Sequence, residues 1–355
     1  MTSHLAHAMR RGLMGPGHIR NLEAALGKRA GALSDAEKGQ ARANIGAGVL
    51  AGFRNKVING DFDIWQRGPS RVTSGAGAGS MAADRWRHTG NFTGTSITWS
   101  QNAFTLGQIE VPGNPRYFFR AERTATGANI ASLQHRVESV RTLAGLKATL
   151  TFFARGTAGK QIALTVGQVF GSGGASSAEV TAFQQTFALN AAWTKYQYVI
   201  DLPSIIGKVL GPNGDDFLSL DWAMAAAQGN MVFDIAHVSL VGDDASAERD
   251  PFTPRHVGQE LALCQRYFFR SYDWQGGHAI RYGTAGSLRD GGVLPFPVTM
   301  RASPTTTIVV TPAFLNCSAP VWGLPNLDMA ALRLTVTATG DYRAWGGEYH
   351  FDAEL

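Results

Sequence analysis

Short apolar stretches are the strongest constraint on this chain. Alternating side chains recur at Ile162, Leu164 and Val166, at Tyr196, Tyr198 and Ile200, at Leu218, Leu220 and Trp222, and at Leu334 and Val336. A period of two is the signature of strands with one buried face. Between these runs lie turns such as SGAGAGS, GSGGASS and GPNGDD, drawn from 42 Gly and 14 Pro in 355 residues. Many short strands without intervening amphipathic helices imply antiparallel sandwiches and disfavour a parallel α/β sheet. The segment VINGDFDIW reads as one more strand, with Phe62 and Ile64 on one side and Asp61 and Asp63 on the other, after the turn-forming pair Asn59-Gly60.

Helical spacing appears in two places. Near the start, Ile19, Leu22 and Leu26 precede Gly27, and Ser34 with Glu37 makes a capping box that opens a second helix. Neither is long enough to be stable alone in water. Further on, GDDASAERDPFTPRH breaks the apolar pattern. Val257, Leu261, Cys264 and Phe268 then give a helix of three turns, which makes Cys264 a small core residue. The expected fold is therefore all-β: two β-sandwich, jelly-roll-like domains preceded by a short helical N-terminal arm. The expected division is an arm at 1–56, a jelly roll at 57–245, a linker at 246–256, and a short helix with a C-terminal β domain at 257–355. The sequence closes on the alternation of Tyr349, Phe351, Ala353 and Leu355.

Charge narrows the partners. The net charge is +5, but residues 1–56 hold nine Lys/Arg against three Asp/Glu, leaving 23 against 24 in the remainder. A neutral body argues against nucleic acid, whose recognition needs a clustered basic face. The surplus lies in an arm whose Arg10, Arg11, Arg20, Lys28 and Arg29 are the candidate anchoring residues. No apolar run approaches the ~18 to 20 residues of a membrane helix, so membrane insertion is not expected. No signal peptide is legible either, and the chain is expected to start near Met1. Two cysteines 53 positions apart, Cys264 and Cys317, exclude a four-thiolate zinc site and suggest synthesis in a reducing compartment.

Catalytic signatures are missing. There is no G-x-S-x-G elbow, P-loop or H-E-x-x-H, and the nine histidines are scattered. The adjacent acids Asp215-Asp216 and Asp243-Asp244 sit in turn-like contexts, where Asp stabilises loops; a structural calcium is the alternative. No catalytic residue, no other metal and no organic cofactor is expected. Aromatic side chains are the remaining material, because sugars stack on flat rings. Trp65, Trp86, Trp99, Trp193 and Trp222 lie in or beside strands and read as core. Tyr272, Trp274, Tyr282, Trp322 and Trp345 lie among Gly, Pro and Asp, where a ring in a loop stays exposed, and are the candidate glycan contacts.

Several blocks occur in order: NKVINGDFDIWQRG, MAADRW, SLQHRVESVRTLAGLKATLTFFARG, ELALCQRYFFR and FPVTMRASPT. Together they resemble a family of phage tail-fibre and receptor-binding virion proteins, and LSDAEKGQARANIGA resembles the short helix before the receptor-binding part of many tail fibres. The resemblance implies a virion surface protein, made in a bacterial cytoplasm, with a jelly roll similar to carbohydrate-binding modules. It implies host capsular or surface polysaccharide and other virion proteins as partners, and a homotrimer or other cyclic homo-oligomer. The matched residues look like framework, with Asp84 and Arg85 expected to pair at a strand end. Absence of a long shaft leaves open a head spike on a phage or gene transfer agent, with a purely structural decoration protein as the alternative; it weighs against a capsule depolymerase, which usually carries a long β-helix.

Overall fold

The computed structural model describes residues 54–75, 80–127, 129–271, 281–318, 321–323, 325–345 and 347–355. The arm, with its five candidate anchoring residues, falls outside them up to residue 53. The described residues are all-β apart from one short helix and a 3-10 turn.

Two six-stranded antiparallel sheets make a jelly-roll sandwich. The first has the order β1 (Ser70–Gly75), β4 (Phe92–Ala103), β5 (Tyr117–Ala125), β12 (Met231–Gly242), β7 (Lys147–Gly156), β10 (Thr194–Asp201). The second has the order β2 (Ser80–Met81), β3 (Trp86–Gly90), β6 (Ala131–Glu138), β11 (Phe217–Met224), β8 (Gln161–Val169), β9 (Val180–Ala188). Alternation puts one face of every strand into a single core. There Trp86, Trp99 and Trp222 are fully buried with Phe62, Phe119 and Phe152. Trp86 lies 5.7 Å from Trp222, and Phe152 meets Trp222 edge-on at 5.5 Å. Trp65 and Trp193 are only half-buried. Trp65 stacks on Phe119, whereas Trp193 packs on Phe104 and Phe118.

The outer face of the first sheet is covered by its own chain over β7 and β12. Thr149, Thr151, Asp234, Ser239 and Val241 point away from the core yet are buried. Residues 54–58 lie across them: Asn55 donates to the Val238 carbonyl at 3.2 Å and accepts from the Leu240 amide at 3.0 Å. The stretch 243–254 follows, with the Ala245 amide donating to Thr149 Oγ1 at 2.8 Å. His237 ties Asp61, just beyond the first covering segment, to Asp250 in the second, with Nδ1 2.9 Å from Asp61 and Nε2 3.1 Å from Asp250. Burial opposes its charge, but the two carboxylates outweigh burial and push its pKa up to about 9.

The segment VINGDFDIW is not a strand. It is an irregular, buried path organised by Asn59, whose side chain accepts from the Ile64 amide and donates to the Ile64 and Asp84 carbonyls. Gly60 is required there because a Cβ would collide with the Val238 carbonyl. The expected Asp84–Arg85 pair is also absent. Asp84 instead accepts from Gln66 and lies 3.7 Å from Arg67, while Arg85 pairs with Glu354 and lies over the Tyr267 ring at 3.5 Å. The signature blocks thus form a joint: Gln66 donates to the Phe268 carbonyl at 2.8 Å and Arg67 reaches Asp352 at 3.0 Å.

Beyond the joint, α1 (Val257–Gln265) is shorter than its spacing suggests, because Phe268 already opens β13 (Phe268–Ser271). Cys264 is buried in it, and burial raises its thiol well above the usual range. Three three-stranded antiparallel sheets follow. They are β13-β21-β16, with β21 (Glu348–Asp352) and β16 (Thr305–Val310); β14-β20-β17, with β14 (Arg281–Gly283), β20 (Gly340–Trp345) and β17 (Ala313–Leu315); and β15-β19-β18, with β15 (Leu288–Pro295), β19 (Met329–Thr335) and β18 (Val321–Gly323). Their cores are small, one around Tyr349 and Phe351 and one around Tyr342 and Val336.

Candidate functional site

The outer face of the second sheet is polar, and only one end of it is closed. The inward residues Leu133, His135, Leu218, Leu220, Trp222, Leu164 and Val166 are buried. Alternation therefore sends Gln134, Arg136, Ser219, Asp221 and Thr165 outward. The antiparallel register sets Arg87 against Gln134, Gln134 against Asp221, Asp221 against Thr165 and Thr165 against Gln184. One polar row thus crosses five strands. Beside it, Thr89, Ser132, Ala223, Ala163 and Thr186 are in register, and on its other side Arg136, Ser219, Gly167 and Thr181. Most of these flanking side chains are small, so a flat ligand can reach the polar row without a steric ridge.

Hydrogen bonds tie part of the row to its flank. Arg136 Nε donates to Gln134 Oε1 at 2.7 Å, Gln134 Nε2 to Asp221 Oδ2 at 3.4 Å, and Ser219 Oγ to the Gly167 carbonyl at 3.2 Å. Glu179 folds onto the same face, where its carboxylate fills the space a Cβ on Gly167 would need. Burial pushes Asp221 up to about 6; Glu179 adds to the shift, and Ser132, Gln134 and Arg136 oppose it. Burial also brings Arg136 down to about 10, helped by the neighbouring Arg87 and Arg85. Closure at one end comes from Phe217 packed on Tyr267 and Leu355, and from Glu138 bonded to Arg266 and to the Tyr267 hydroxyl.

A carboxylate, two amides, a guanidinium and several hydroxyls in one plane match what saccharide hydroxyls offer, since each sugar OH both donates and accepts. Hydrogen bonds to charged groups contribute about 1.5–3 kcal/mol each, neutral ones about 1. Among the described residues the open part of the face carries no exposed aromatic ring; Phe217 is buried at the closed end.

The candidates drawn from the sequence lie elsewhere. Tyr272 and Trp274 are outside the described residues. Tyr282 is 70% exposed on β14. Trp322 sits within β18 and Trp345 ends β20, so neither lies in the loop its Gly and Pro neighbours suggest. The acidic pairs serve their turns: Asp215 accepts from the Ser172 amide at 2.7 Å, Asp216 from the Val140 amide at 2.8 Å, and Asp244 from the Ser246 amide at 2.9 Å. Among the described residues no group of three or more His, Cys, Asp or Glu is placed to hold a metal ion, and no helix is long and apolar enough to cross a membrane.

No family model and no curated protein sequence matches the chain. Solved structures similar to it include a family 11 carbohydrate-binding module from Clostridium thermocellum in complex with a β-1,3-1,4-mixed-linked tetrasaccharide (12% identity, 51% of this chain and 99% of that one, TM-score 0.31). A putative sugar binding protein from Bacteroides thetaiotaomicron shows 16% identity over 53% of this chain and 100% of that one, with a TM-score of 0.34. The enzymatically active domain of tailspike protein 4 of bacteriophage CBA120 shows 11% identity over 54% of this chain and 22% of that one, with a TM-score of 0.31. Likenesses this weak say nothing about ligand or activity, which rest on the residues themselves.

Proposed function

We propose that the protein binds polysaccharide, without cleaving it, on the outer face of the second sheet. The observation that carries this reading is the polar row Arg87–Gln134–Asp221–Thr165–Gln184, left uncovered in a sandwich whose other outer face is covered by its own chain over β7 and β12. Affinity electrophoresis through gels cast with bacterial capsular polysaccharides tests it. Retardation of the wild type by at least one polymer, lost in Asp221→Ala, supports the site, and equal retardation of both proteins removes it. Shortening of the polymer during incubation would point to a depolymerase instead.

The resemblance of the signature blocks supports a place on a virion or gene-transfer-agent surface, with the basic arm docking on the particle and the sandwich presented to the host. Deleting residues 1–56 should leave a folded β body that no longer enters particles; normal incorporation of the truncated chain would refute this. The reading as a structural head-spike, vertex or baseplate protein has its own support. Of the twenty exposed large hydrophobic side chains among the described residues, eleven lie between Tyr282 and Met329, an excess that suits contacts with further copies of the chain. A homotrimer or other cyclic oligomer is the form proposed. A monomer by light scattering, free and in the particle, would exclude it.

A further inference from the structure

At the β3 end of the polar row, the face runs into a cavity of about 390 Å³ lined by Arg67, Arg71, Arg87, Ser80, Asp352 and Glu354, among others. Its lining side chains bring three arginines against two carboxylates. Arg67 is matched by Asp352 at 3.0 Å and Glu354 at 3.4 Å, and Glu354 is shared with Arg85 from behind. Arg71 and Arg87 form no ion pair with an aspartate or glutamate among the described residues. Arg87 spends one Nη on an oxygen of Leu355, which also lines the cavity and accepts from Arg136, at 3.1 Å, while its Nε is enclosed without a partner. Arg71 is exposed on β1. An enclosed, unpaired guanidinium donor is unfavourable, because a buried donor without an acceptor loses its hydration for no return.

Building on the reading of the open face as a polysaccharide site, we propose that this cavity is a carboxylate subsite and that the polysaccharide recognised is anionic, with a uronic-acid residue seated over β3 between Arg71 and Arg87. Planar guanidinium groups suit a carboxylate because two N–H donors match its two oxygens, a fit an ammonium group lacks. Charge is also graded along the row. Arg87 and Arg136 lie towards β3, while Asp221 and Glu179 lie towards β9. An acidic sugar is therefore attracted at one end and repelled from the other, so the chain is read in one direction, with neutral units over β11 and β8.

The test uses the full chain and defined probes: polygalacturonate and alginate, the same two polymers after carboxyl reduction, neutral mixed-linked β-glucan, and dextran sulfate. The expected result is retention of at least one uronate polymer, weakened about 10-fold or more by carboxyl reduction, and weakened about 10-fold by Arg71→Ala and by Arg87→Lys. Arg71→Ala should melt at the wild-type temperature, since its side chain is exposed. Uronate polymers bound no better than their reduced forms, or bound equally by both variants, would overturn the subsite. Binding of the neutral glucan alone, lost in Asp221→Ala, would overturn the subsite while leaving the face as a glycan site. Binding of none of the six would remove both. Dextran sulfate held as tightly as the uronates and with the same dependence on Arg71 would overturn carboxylate recognition in favour of general anion attraction.

Discussion

The two sheets of the sandwich have six strands each and share one core, yet their outer faces have opposite fates. On the first, Asn55, Ala245 and the Asp61–His237–Asp250 bridge lay two stretches of chain over β7 and β12, and outward residues such as Thr149 and Ser239 are fully buried. On the second, no stretch of chain lies over the polar row, and Gln134, Asp221, Thr165 and Gln184 keep some exposure, although Ser132 and Ser219 beside them are buried and Tyr267 and Leu355 close one end. Covering a polar face requires a hydrogen-bond partner for every buried group, because each one left unsatisfied costs about 1–3 kcal/mol. The chain meets most of that demand on one side, although the buried Ser239 hydroxyl has no hydrogen-bond partner. Leaving Asp221 half-buried beside Glu179, with no covering segment, is a choice that stability alone does not explain.

Substitutions can break this contrast. The largest effect is expected at the closed end, where Glu354→Gln leaves the Arg85 guanidinium buried without its carboxylate; a loss of about 3–5 kcal/mol should appear in chemical denaturation. Asn55→Ala comes next. It removes the acceptor of the buried Leu240 and Val57 amides and the donor to Val238, so about 3 kcal/mol should be lost. Protection of amides in 54–58 against hydrogen exchange should fall with it, while the second sheet keeps its protection.

The cover should also respond to alkali. His237 has its pKa raised to about 9 in the folded chain against about 6.5 unfolded. Its contribution is therefore fully present below 6.5 and is lost as pH rises through 9. Melting temperature should drop between pH 7.5 and pH 10 more steeply in the wild type than in His237→Gln. Parallel curves would mean that the bridge does not hold the cover. Asp221 works in the opposite sense. Its pKa of about 6 lies above the unfolded value, so its charge disfavours folding above that pH, and the disadvantage fades as pH falls from 7 to 4. Asp221→Asn should then melt at or slightly above the wild-type temperature at pH 7.5. A clear loss of stability would make Asp221 a structural residue and not a binding one.

Much of this contrast was legible as alternation. Leu218, Leu220 and Trp222 announce the inner face of β11, and Ile162, Leu164 and Val166 that of β8. Their complements, Ser219, Asp221 and Thr165, belong to the proposed site and are equally visible. Register was the missing information: no local pattern tells that Gln134, from a strand more than eighty residues earlier, lies beside Asp221. The joint was misread for a related reason. Asp61 and Asp63 alternate with Phe62 and Ile64 as in a strand, but Asn59 captures the backbone of Ile64 and Asp84 and bends the path. The partners of Arg67 and Arg85 come from Asp352 and Glu354, at the far end of the sequence. In the C-terminal sheets, Gly and Pro beside Trp322 and Trp345 suggested loops, whereas strand pairing to Leu332 and Ala313 took those backbones.

A smaller effect sharpens the contrast further. Tyr282→Ala removes a 70% exposed ring and should change stability by less than about 0.5 kcal/mol. If it also leaves polysaccharide retention intact, the exposed aromatic of β14 is not the platform.

The central claim is that the uncovered face of the second sheet is where polysaccharide binds. Its most direct test is the affinity of the wild type, Gln134→Ala, Asp221→Ala and the covered-face control Gln197→Ala for one retained polymer, measured by affinity electrophoresis alongside thermal melts. Losses of about 10-fold or more in Gln134→Ala and Asp221→Ala, at wild-type melting temperature and with Gln197→Ala unchanged in affinity, are the expected result. Unchanged affinity in both face variants would contradict it.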